Sequence, residues 1–193
     1  MAVRDKGELK AGQRVLINGA GGGVGSFAVQ IAKALGADVT AVTNTKNVDM
    51  VRSIGAEEVI DYTRDDFTRG PRRYDLIVDA GGNRRLSHMR RVLAPEGTIV
   101  LVAPGPGNWI GPIVRLVGSV VTTRLGHQNV RPFLAPASRE NLLVLKELIE
   151  AGKVRPVIDR TYPFNQIPDA VRYLERGGVQ GKVVITMDET ERS

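Results

Sequence analysis

Residues 14–35 read RVLINGAGGGVGSFAVQIAKAL, which predicts a buried strand, a glycine turn and a helix in direct succession. The apolar run within RVLIN is typical of a central parallel strand that is covered on both faces. Five glycines then fall within seven residues, at positions 19, 21, 22, 23 and 25. After them, apolar residues recur at steps of three and four as far as Leu35, which predicts a helix that ends at Gly36. The stretch therefore predicts a phosphate-binding turn at the start of a helix.

The glycine turn fits the pattern G-x-G-x-x-G, with alanine in the first position, at Ala20, Gly22 and Gly25. In such a turn one glycine lets a pyrophosphate approach the backbone, and another lets the helix pack on the strand. We assign these roles to Gly22 and Gly25. Because a strand and an amphipathic helix flank the motif, it predicts dinucleotide binding, and a tight turn without a ligand is the alternative.

Composition limits the possible classes of protein. With 193 residues and 42% hydrophobic composition, the chain can form one substantial core and has room for an appendage. It has no cysteine, and its two histidines, His88 and His127, lie far apart, so we expect no zinc or other metal site. The N-terminus is polar and no apolar run approaches the length of a membrane span, which predicts a soluble, cytoplasmic protein.

The net charge of +6 raises the alternative of nucleic-acid binding. The arginines occur in pairs at 72–73, 84–85 and 90–91, without the interleaved aromatic residues that stack on bases. We interpret them as a solvated basic face, which also suits an enzyme with a phosphate-bearing ligand.

Strand and helix patterns alternate along the chain, which predicts βαβ units and a doubly wound α/β fold with a parallel sheet. Strands are expected at 14–18, 38–42, 58–61, 74–79 and 98–102, with a sixth near 120–124 after a loop beside the cofactor. Helices are expected at 46–53 and 84–93. In the second half we predict a helix over 138–151 with Ser138 as N-cap, a strand within PVIDRTY, a helix over 166–176 and a last strand within GKVVITM.

The residues after the second strand bear on the choice of cofactor. An acid about 20 residues beyond the glycines commonly binds the ribose 2′-hydroxyl of NAD. Here Val42, Thr43, Asn44 and Thr45 contain no acid, and Lys46 follows. Hydroxyl, amide and ammonium groups can donate to a 2′-phosphate, so we predict NADP (NADPH), with NAD as the alternative.

Several blocks resemble the zinc-independent medium-chain dehydrogenases/reductases, in the quinone oxidoreductase or zeta-crystallin branch. They are VLINGAGGGVGSFAVQIAKALGADVTAVTNT, SIGAEEVIDYT, YDLIVDAGGN, GTIVLV and ELIEAGKVRPVIDRTYPFNQIPDAVRYLERGGVQGKVVI, in this order. The resemblance implies a Rossmann fold with six parallel strands. It also implies hydride transfer from NADPH to quinones, enones or related carbonyl substrates.

The resemblance also implies cofactor contacts at individual positions. The pyrophosphate turn corresponds to Gly22, Gly23, Val24 and Gly25, and the 2′-phosphate positions to Lys46 and Tyr62. The loops near the nicotinamide correspond to Asp79, Ala80 and Gly81 and to Ala103 and Gly105. A packed ring for Tyr62 and a structural carboxylate for Asp79 are the alternatives, and no catalytic acid or base is assigned.

The resemblance divides the chain into a dinucleotide-binding domain, residues 1–152, and a C-terminal strand-helix-strand tail, residues 153–193. Family members carry an N-terminal barrel-like catalytic domain, and the chain starts at the Rossmann half. We expect the tail to fold back, to pair with another copy or to expose apolar edges, and a homodimer is open. The function expected is the NADP(H)-binding domain of an oxidoreductase, and a non-catalytic dinucleotide-binding module is the alternative.

Overall fold

The computed structural model describes residues 1–102, 128–134 and 138–187. Its main sheet is formed by β1 Arg14–Asn18, β2 Asp38–Thr43, β3 Glu58–Asp61, β4 Tyr74–Asp79, β5 Leu93–Leu101 and β6 Asn129–Pro132. The six strands are parallel and lie in the order β3-β2-β1-β4-β5-β6. This is the Rossmann strand order, so the predicted fold is confirmed.

The described α-helices are α1 Gly25–Ala34, α2 Val48–Ser53, α3 Leu86–Met89, α4 Arg139–Glu150 and α5 Ile167–Glu175, and a short π-helix, Ala2–Lys6, precedes β1. Two further strands, β7 Ile158–Pro163 and β8 Lys182–Thr186, pair in parallel as a separate two-stranded sheet. None of the helices in the described ranges is long and apolar enough to cross a membrane.

The core lies on both faces of the main sheet. Val15 and Ile17 of β1 pack on one face with Val29 of α1, whereas Leu16 packs on the other face with Met89 of α3. All five of these side chains are fully buried. The continuous apolar run of β1 follows from this double coverage, because successive side chains of a strand point to opposite faces.

The element boundaries differ from the prediction between β4 and β5. The helix expected over residues 84–93 is limited to α3 and a short 3-10 turn, Arg90–Val92. Strand β5 begins at Leu93 rather than at Thr98, because Leu93 already pairs with Tyr74 of β4. The strand predicted near residues 120–124 lies outside the described residues, and the sixth strand of the described sheet is β6.

The C-terminal segment folds back on the main sheet. Gln30 of α1 exchanges two hydrogen bonds with the backbone of Arg155, at 3.0 and 2.7 Å, and the adjacent Val154 is fully buried. Ser138 caps α4 as predicted, through its hydroxyl and the Asn141 N–H. The segment also leaves apolar side chains exposed, including Leu142 at 66% and Met187 at 72%.

Two arginines of the predicted basic face form local contacts instead of a free basic surface. Arg72 forms ion pairs with Asp38 and Glu58, so it joins the amino ends of β2 and β3. The Arg84 guanidinium lies 5.9 Å from the centre of the Phe67 ring. Contacts within the chain therefore explain the presence of these two arginines.

Candidate cofactor-binding site

The glycine turn lies where the strand order of the main sheet reverses, at the carboxyl ends of β1 and β4. Ligands of open α/β sheets bind in the crevice at such a point. The backbone N–H groups of Gly19 and Ala20 both donate to the Val42 carbonyl, at 3.1 and 3.0 Å, which ties the turn to β2. Gly19 has a φ of +83°, a conformation that a side chain would strain. Ala20 is fully buried within the turn.

The glycines of the turn differ in the space around them. A methyl group built on Gly25 would lie 2.1 Å from the Gly19 carbonyl oxygen, so α1 packs directly on the turn there. A methyl group on Gly22 would meet only the same oxygen, at 3.5 Å, which is ordinary contact. The close packing at Gly25 is that of a helix packed on the turn, and the role of Gly22 in pyrophosphate binding stays a prediction.

The start of α1 offers hydrogen-bond donors. Among the described residues, the backbone N–H groups of Val24 and Gly25 have no acceptor, whereas the Gly22 N–H donates to the Gly19 carbonyl at 3.2 Å and Gly22 forms a parallel bridge with Gly181 of the tail. Val24 stands at the N-cap position and is 51% exposed. The positive end of the α1 dipole and these donors can together hold an anion.

Gly21 is constrained by packing, which the sequence did not predict. A methyl group there would lie 2.3 Å from Asn47 Nδ2 and 2.6 Å from Thr43 Oγ1. Thr43 is buried with its hydroxyl beside Gly21, and its contact with a cofactor stays a prediction. The last residue of a strand can point to either side of the sheet, and here the pleat directs Thr43 toward Gly21.

Lys182 at the start of β8 is a basic residue that sequence reasoning missed. A methyl group on Gly23 would lie 2.7 Å from Lys182 Nζ, so the ammonium group sits beside the glycine turn. The neighbouring Gly181 N–H donates to the Gly21 carbonyl at 2.8 Å and holds β8 in this place. A single lysine far along the chain has no recognisable spacing to the turn, and only the folded-back tail brings the two together.

A cavity of about 290 Å³ lies at the carboxyl end of β2, between the main sheet and the tail. Its lining combines amide, hydroxyl and basic side chains with backbone: Asn44, Thr45, Lys46, Thr63, Arg176, Gly177 and Gly178. Asn44 Oδ1 accepts a hydrogen bond from the Asn47 N–H at 3.1 Å, which leaves its amide NH₂ group to donate elsewhere. Tyr62 follows β3 beside the cavity, is 38% exposed and is not part of the lining.

Asp61 is an acid beside this cavity. The search for an acid about 20 residues beyond the glycines did not identify it. It pairs with Thr43 in the sheet register and so lies next to the end of β2. The hydroxyl groups of Thr45 and Thr63 donate to its carboxylate, at 2.6 and 2.7 Å. The hydrogen bond from Thr45, followed by those from Thr63, holds the pKa of Asp61 below its usual value. The carboxylate is therefore ionised and its oxygens are engaged.

A buried polar cluster lies at the carboxyl end of β4. Asn18 Nδ2 donates to Asp79 Oδ1 at 2.8 Å and to Asn83 Oδ1 at 3.0 Å, and the Gly82 N–H donates to the same Asp79 oxygen at 2.9 Å. Asp79 is fully buried, which fits the structural alternative for this carboxylate.

The loop after β4 packs against the glycine turn. The Ala80 N–H donates to the Asn18 carbonyl at 2.9 Å, and a methyl group on Gly19 would lie 2.8 Å from the Gly81 nitrogen. The predicted contacts Ala103 and Gly105 lie outside the described residues. Among residues 1–102, 128–134 and 138–187, no three histidine, cysteine, aspartate or glutamate side chains form a group that could hold a metal.

Comparisons with known proteins agree with this geometry. A profile of the family described as zinc-binding dehydrogenase matches residues 54–185. The protein named NAD(P)H oxidoreductase RTN4IP1, mitochondrial, of Mus musculus is 38% identical over 191 residues, which cover 91% of this chain and 48% of that protein. The NADPH-dependent alkenal/one oxidoreductase, chloroplastic, of Arabidopsis thaliana is 33% identical over 182 residues, which cover 92% of this chain and 42% of that protein.

Among solved structures, the quinone oxidoreductase from Coxiella burnetii matches with a TM-score of 0.82 and 29% identity, over 97% of this chain and 56% of that chain. The chain spans about half the length of the curated relatives it matches. The family profile covers most of the chain, and the Rossmann strand order agrees with it. The chain therefore belongs to the zinc-binding dehydrogenase family of the medium-chain dehydrogenase/reductase superfamily and matches the Rossmann part of its members.

Proposed function

We propose that this chain is the NADP(H)-binding part of an oxidoreductase that transfers a hydride from NADPH to a quinone, an enone or a related carbonyl substrate. The observation that carries the proposal is the open side of Gly22 at the start of α1, in a turn that is otherwise closely packed. A backbone without a side chain at a helix start is the feature that lets a pyrophosphate approach.

The pyrophosphate is held by backbone and by one side chain. The N–H groups of Val24 and Gly25 can donate to the anion at the positive end of α1. Lys182 adds a positive charge beside Gly23. A charge-assisted hydrogen bond is stronger than one between neutral groups, so Lys182 strengthens binding of any dinucleotide.

A bound nicotinamide would contact Asp79, Ala80 and Gly81 at the carboxyl end of β4, and Ala103 and Gly105 stay predicted contacts outside the described residues. The bound nicotinamide supplies the hydride, and the protein orients it. The cluster of Asn18, Asp79 and Gly82 fixes the loop after β4, so its backbone presents a rigid surface to the ring.

NADP is the proposed cofactor because the cavity after β2 contains Lys46 and the amide of Asn44. Asp61 is the nearby acid, and its oxygens already accept hydrogen bonds from Thr45 and Thr63. These bonds would compete with the ribose 2′-hydroxyl that donates to an acid in an NAD-binding site. The name of the Arabidopsis relative includes NADPH and alkenal/one, and that of the Coxiella structure includes quinone, which supports this cofactor and substrate class.

Other expectations remain predictions. They are the domain boundary after residue 152, independence of zinc, a homodimer and a cytoplasmic location. The names of two relatives include mitochondrial and chloroplastic, so location differs within the family. Fractionation of the native protein would test the cytoplasmic prediction.

The proposal is tested by fluorescence titration of the purified chain with NADPH and, separately, with NADH. We expect saturable binding that favours NADPH. Loss of NADPH absorbance on addition of a quinone or an enone would contradict the alternative of a non-catalytic dinucleotide-binding module. A folded chain that binds neither dinucleotide would refute the proposal.

A further inference from the structure

We propose that an arginine-rich layer on one face of the main sheet docks on the surface of an anionic phospholipid membrane. The layer consists of residues 64–73 and 84–92. Membrane binding of this kind goes beyond the proposed function and does not depend on it. The layer contains eight arginines, two aspartates (Asp65 and Asp66) and no lysine, so its net charge of +6, with histidine neutral, equals that of the whole chain. The rest of the chain is therefore neutral overall.

Both segments of the layer pack on the same face of the main sheet. Phe67 belongs to the first segment, and Met89 and Val92 belong to the second. All three are buried in one apolar cluster that also contains Leu16 of β1, whereas α1 packs on the other face of the sheet. The Arg84 guanidinium lies over the Phe67 ring, which joins the two segments directly. The arginine-rich segments therefore lie side by side, opposite α1.

Several arginines of the layer are exposed and weakly engaged. Arg73, Arg85 and Arg91 are exposed, and within the described ranges none of the three forms an ion pair with a carboxylate. The Arg73 guanidinium donates only to backbone carbonyls of its own loop. Arg64 and Arg69 are 73% and 81% exposed and form ion pairs of 3.6 and 3.4 Å with nearby aspartates. Exposed pairs of this length contribute little, so these guanidinium groups can bind an anionic partner.

The exposed charges extend along the length of β4. Arg73 directly precedes this strand at its amino end, and Arg85 stands at the start of α3, after the loop that follows the carboxyl end. A strand of six residues spans about 20 Å. One small anion cannot contact charges at both ends of such a strand, whereas a surface covered with phosphate groups can. The layer therefore fits an extended anionic surface.

The composition of the layer favours lipid headgroups over nucleic acid. A guanidinium group presents a planar fork of donors that matches phosphate oxygens. Single-stranded nucleic acid also requires exposed aromatic rings for stacking, and the aromatic residues of this face, Phe67 and Tyr74, are buried. With four residues, α3 is too short to serve as a helix that reads the major groove. An anionic membrane requires neither feature, because basic side chains bind near its surface by charge.

The test compares two double variants that each remove two positive charges. Arg85→Gln with Arg91→Gln removes them from the layer, and Lys10→Gln with Lys153→Gln removes them from exposed residues outside it. Binding of the full chain is measured by co-sedimentation with vesicles of equal parts of phosphatidylcholine and phosphatidylglycerol. A basic side chain near an anionic surface contributes about fivefold to the affinity, so the layer variant should bind about 25-fold more weakly than the parent. The control variant should stay within about threefold, because distant charges are screened.

Two further conditions separate charge from other causes. Vesicles of phosphatidylcholine alone should not bind the parent, and raising the salt from about 0.1 M to about 1 M should release it from the anionic vesicles, because the Debye length falls from about 10 Å to about 3 Å. Arg85→Lys with Arg91→Lys keeps the charge and should bind within about threefold of the parent. Circular dichroism shows whether each variant is folded like the parent.

Three results would overturn the proposal. They are a parent chain that does not bind anionic vesicles, an equal loss of binding in the layer and control variants, and binding of a DNA or RNA oligonucleotide that anionic vesicles do not displace. Each would leave the proposed function standing, because the substituted residues lie outside the glycine turn and the cavity after β2.

Discussion

Alanine substitutions at two neighbouring glycines should separate cofactor binding from stability. At Gly22 the added methyl group would have one neighbour, the Gly19 carbonyl oxygen at 3.5 Å. At Gly25 it would lie 2.1 Å from the same oxygen and 2.7 Å from the Ala20 Cα. Neither glycine has a positive φ, so backbone strain contributes to neither variant. We therefore expect Gly22→Ala to fold normally and bind poorly, and Gly25→Ala to be destabilised.

The magnitudes follow from the neighbouring atoms. Overpacking costs about 1–3 kcal/mol, and the upper value applies at Gly25 because the crowded atoms belong to the backbone and cannot rotate away. Gly25 is the first residue of α1, so the helix preference for alanine, which is about 1 kcal/mol in a helix interior, offsets at most part of this cost and leaves about 2–3 kcal/mol of destabilisation. For a chain of this length that corresponds to a fall in Tm of roughly 4–12 °C. For Gly22→Ala we expect a Tm within about 2 °C of the parent and dinucleotide binding weakened at least about tenfold.

The assay is thermal unfolding followed by circular dichroism, combined with fluorescence titration of NADPH. Both variants are measured beside the parent under one buffer condition. Unchanged NADPH affinity in Gly22→Ala would refute the assignment of the pyrophosphate to the glycine turn. A Gly25→Ala variant as stable as the parent would refute the packing role of that glycine.

Three further predictions follow from the same structure. Lys182→Gln should weaken NADPH and NADH binding by a similar factor of roughly five to ten, because the Lys182 ammonium group lies beside the turn that binds the pyrophosphate of both dinucleotides. Fluorescence titration measures both affinities, and a loss confined to one dinucleotide would contradict this role. Asn18→Ala should destabilise the fold by about 1–3 kcal/mol in urea unfolding, because it removes buried hydrogen bonds, and unchanged stability would count against the role of the cluster. NADPH affinity should rise between about pH 5 and pH 7 as the 2′-phosphate loses its second proton, with a pKa of about 6, whereas NADH affinity should not. The lowered pKa of Asp61 keeps that carboxylate ionised throughout this range, so a similar pH dependence for both dinucleotides would contradict the assignment.

The sequence was sufficient to predict the sheet and the glycine turn, because both depend on local patterns. A continuous apolar strand, glycines at the turn and an amphipathic helix occur within residues 14–35. Boundaries were less well predicted where tertiary pairing decides them. Strand β5 begins at Leu93 because it pairs with Tyr74, and no local pattern around Pro95 and Gly97 indicates an extended strand.

The residues that sequence reasoning missed are those that the fold brings from a distance. Lys182 and Arg176 reach the site through the folded-back tail, and Asp61 reaches it through the register of β3 with β2. Counting along the chain predicted Thr43 near the site, but it did not predict that the residue is buried with its hydroxyl beside Gly21. Spacing along one strand identifies which residues are near an edge, whereas the side of the sheet and the neighbouring elements require the three-dimensional structure.

The central claim is that the glycine turn binds the pyrophosphate and the cavity after β2 binds the 2′-phosphate. Amide shifts of the ¹⁵N-labelled chain, recorded on addition of NADPH or NADH, test it directly. We predict that the amides of Gly22 and Gly23 shift with both dinucleotides, and that those of Lys46 and Gly178 shift with NADPH alone. Saturating NADPH that leaves the amides of the glycine turn unmoved would contradict the account.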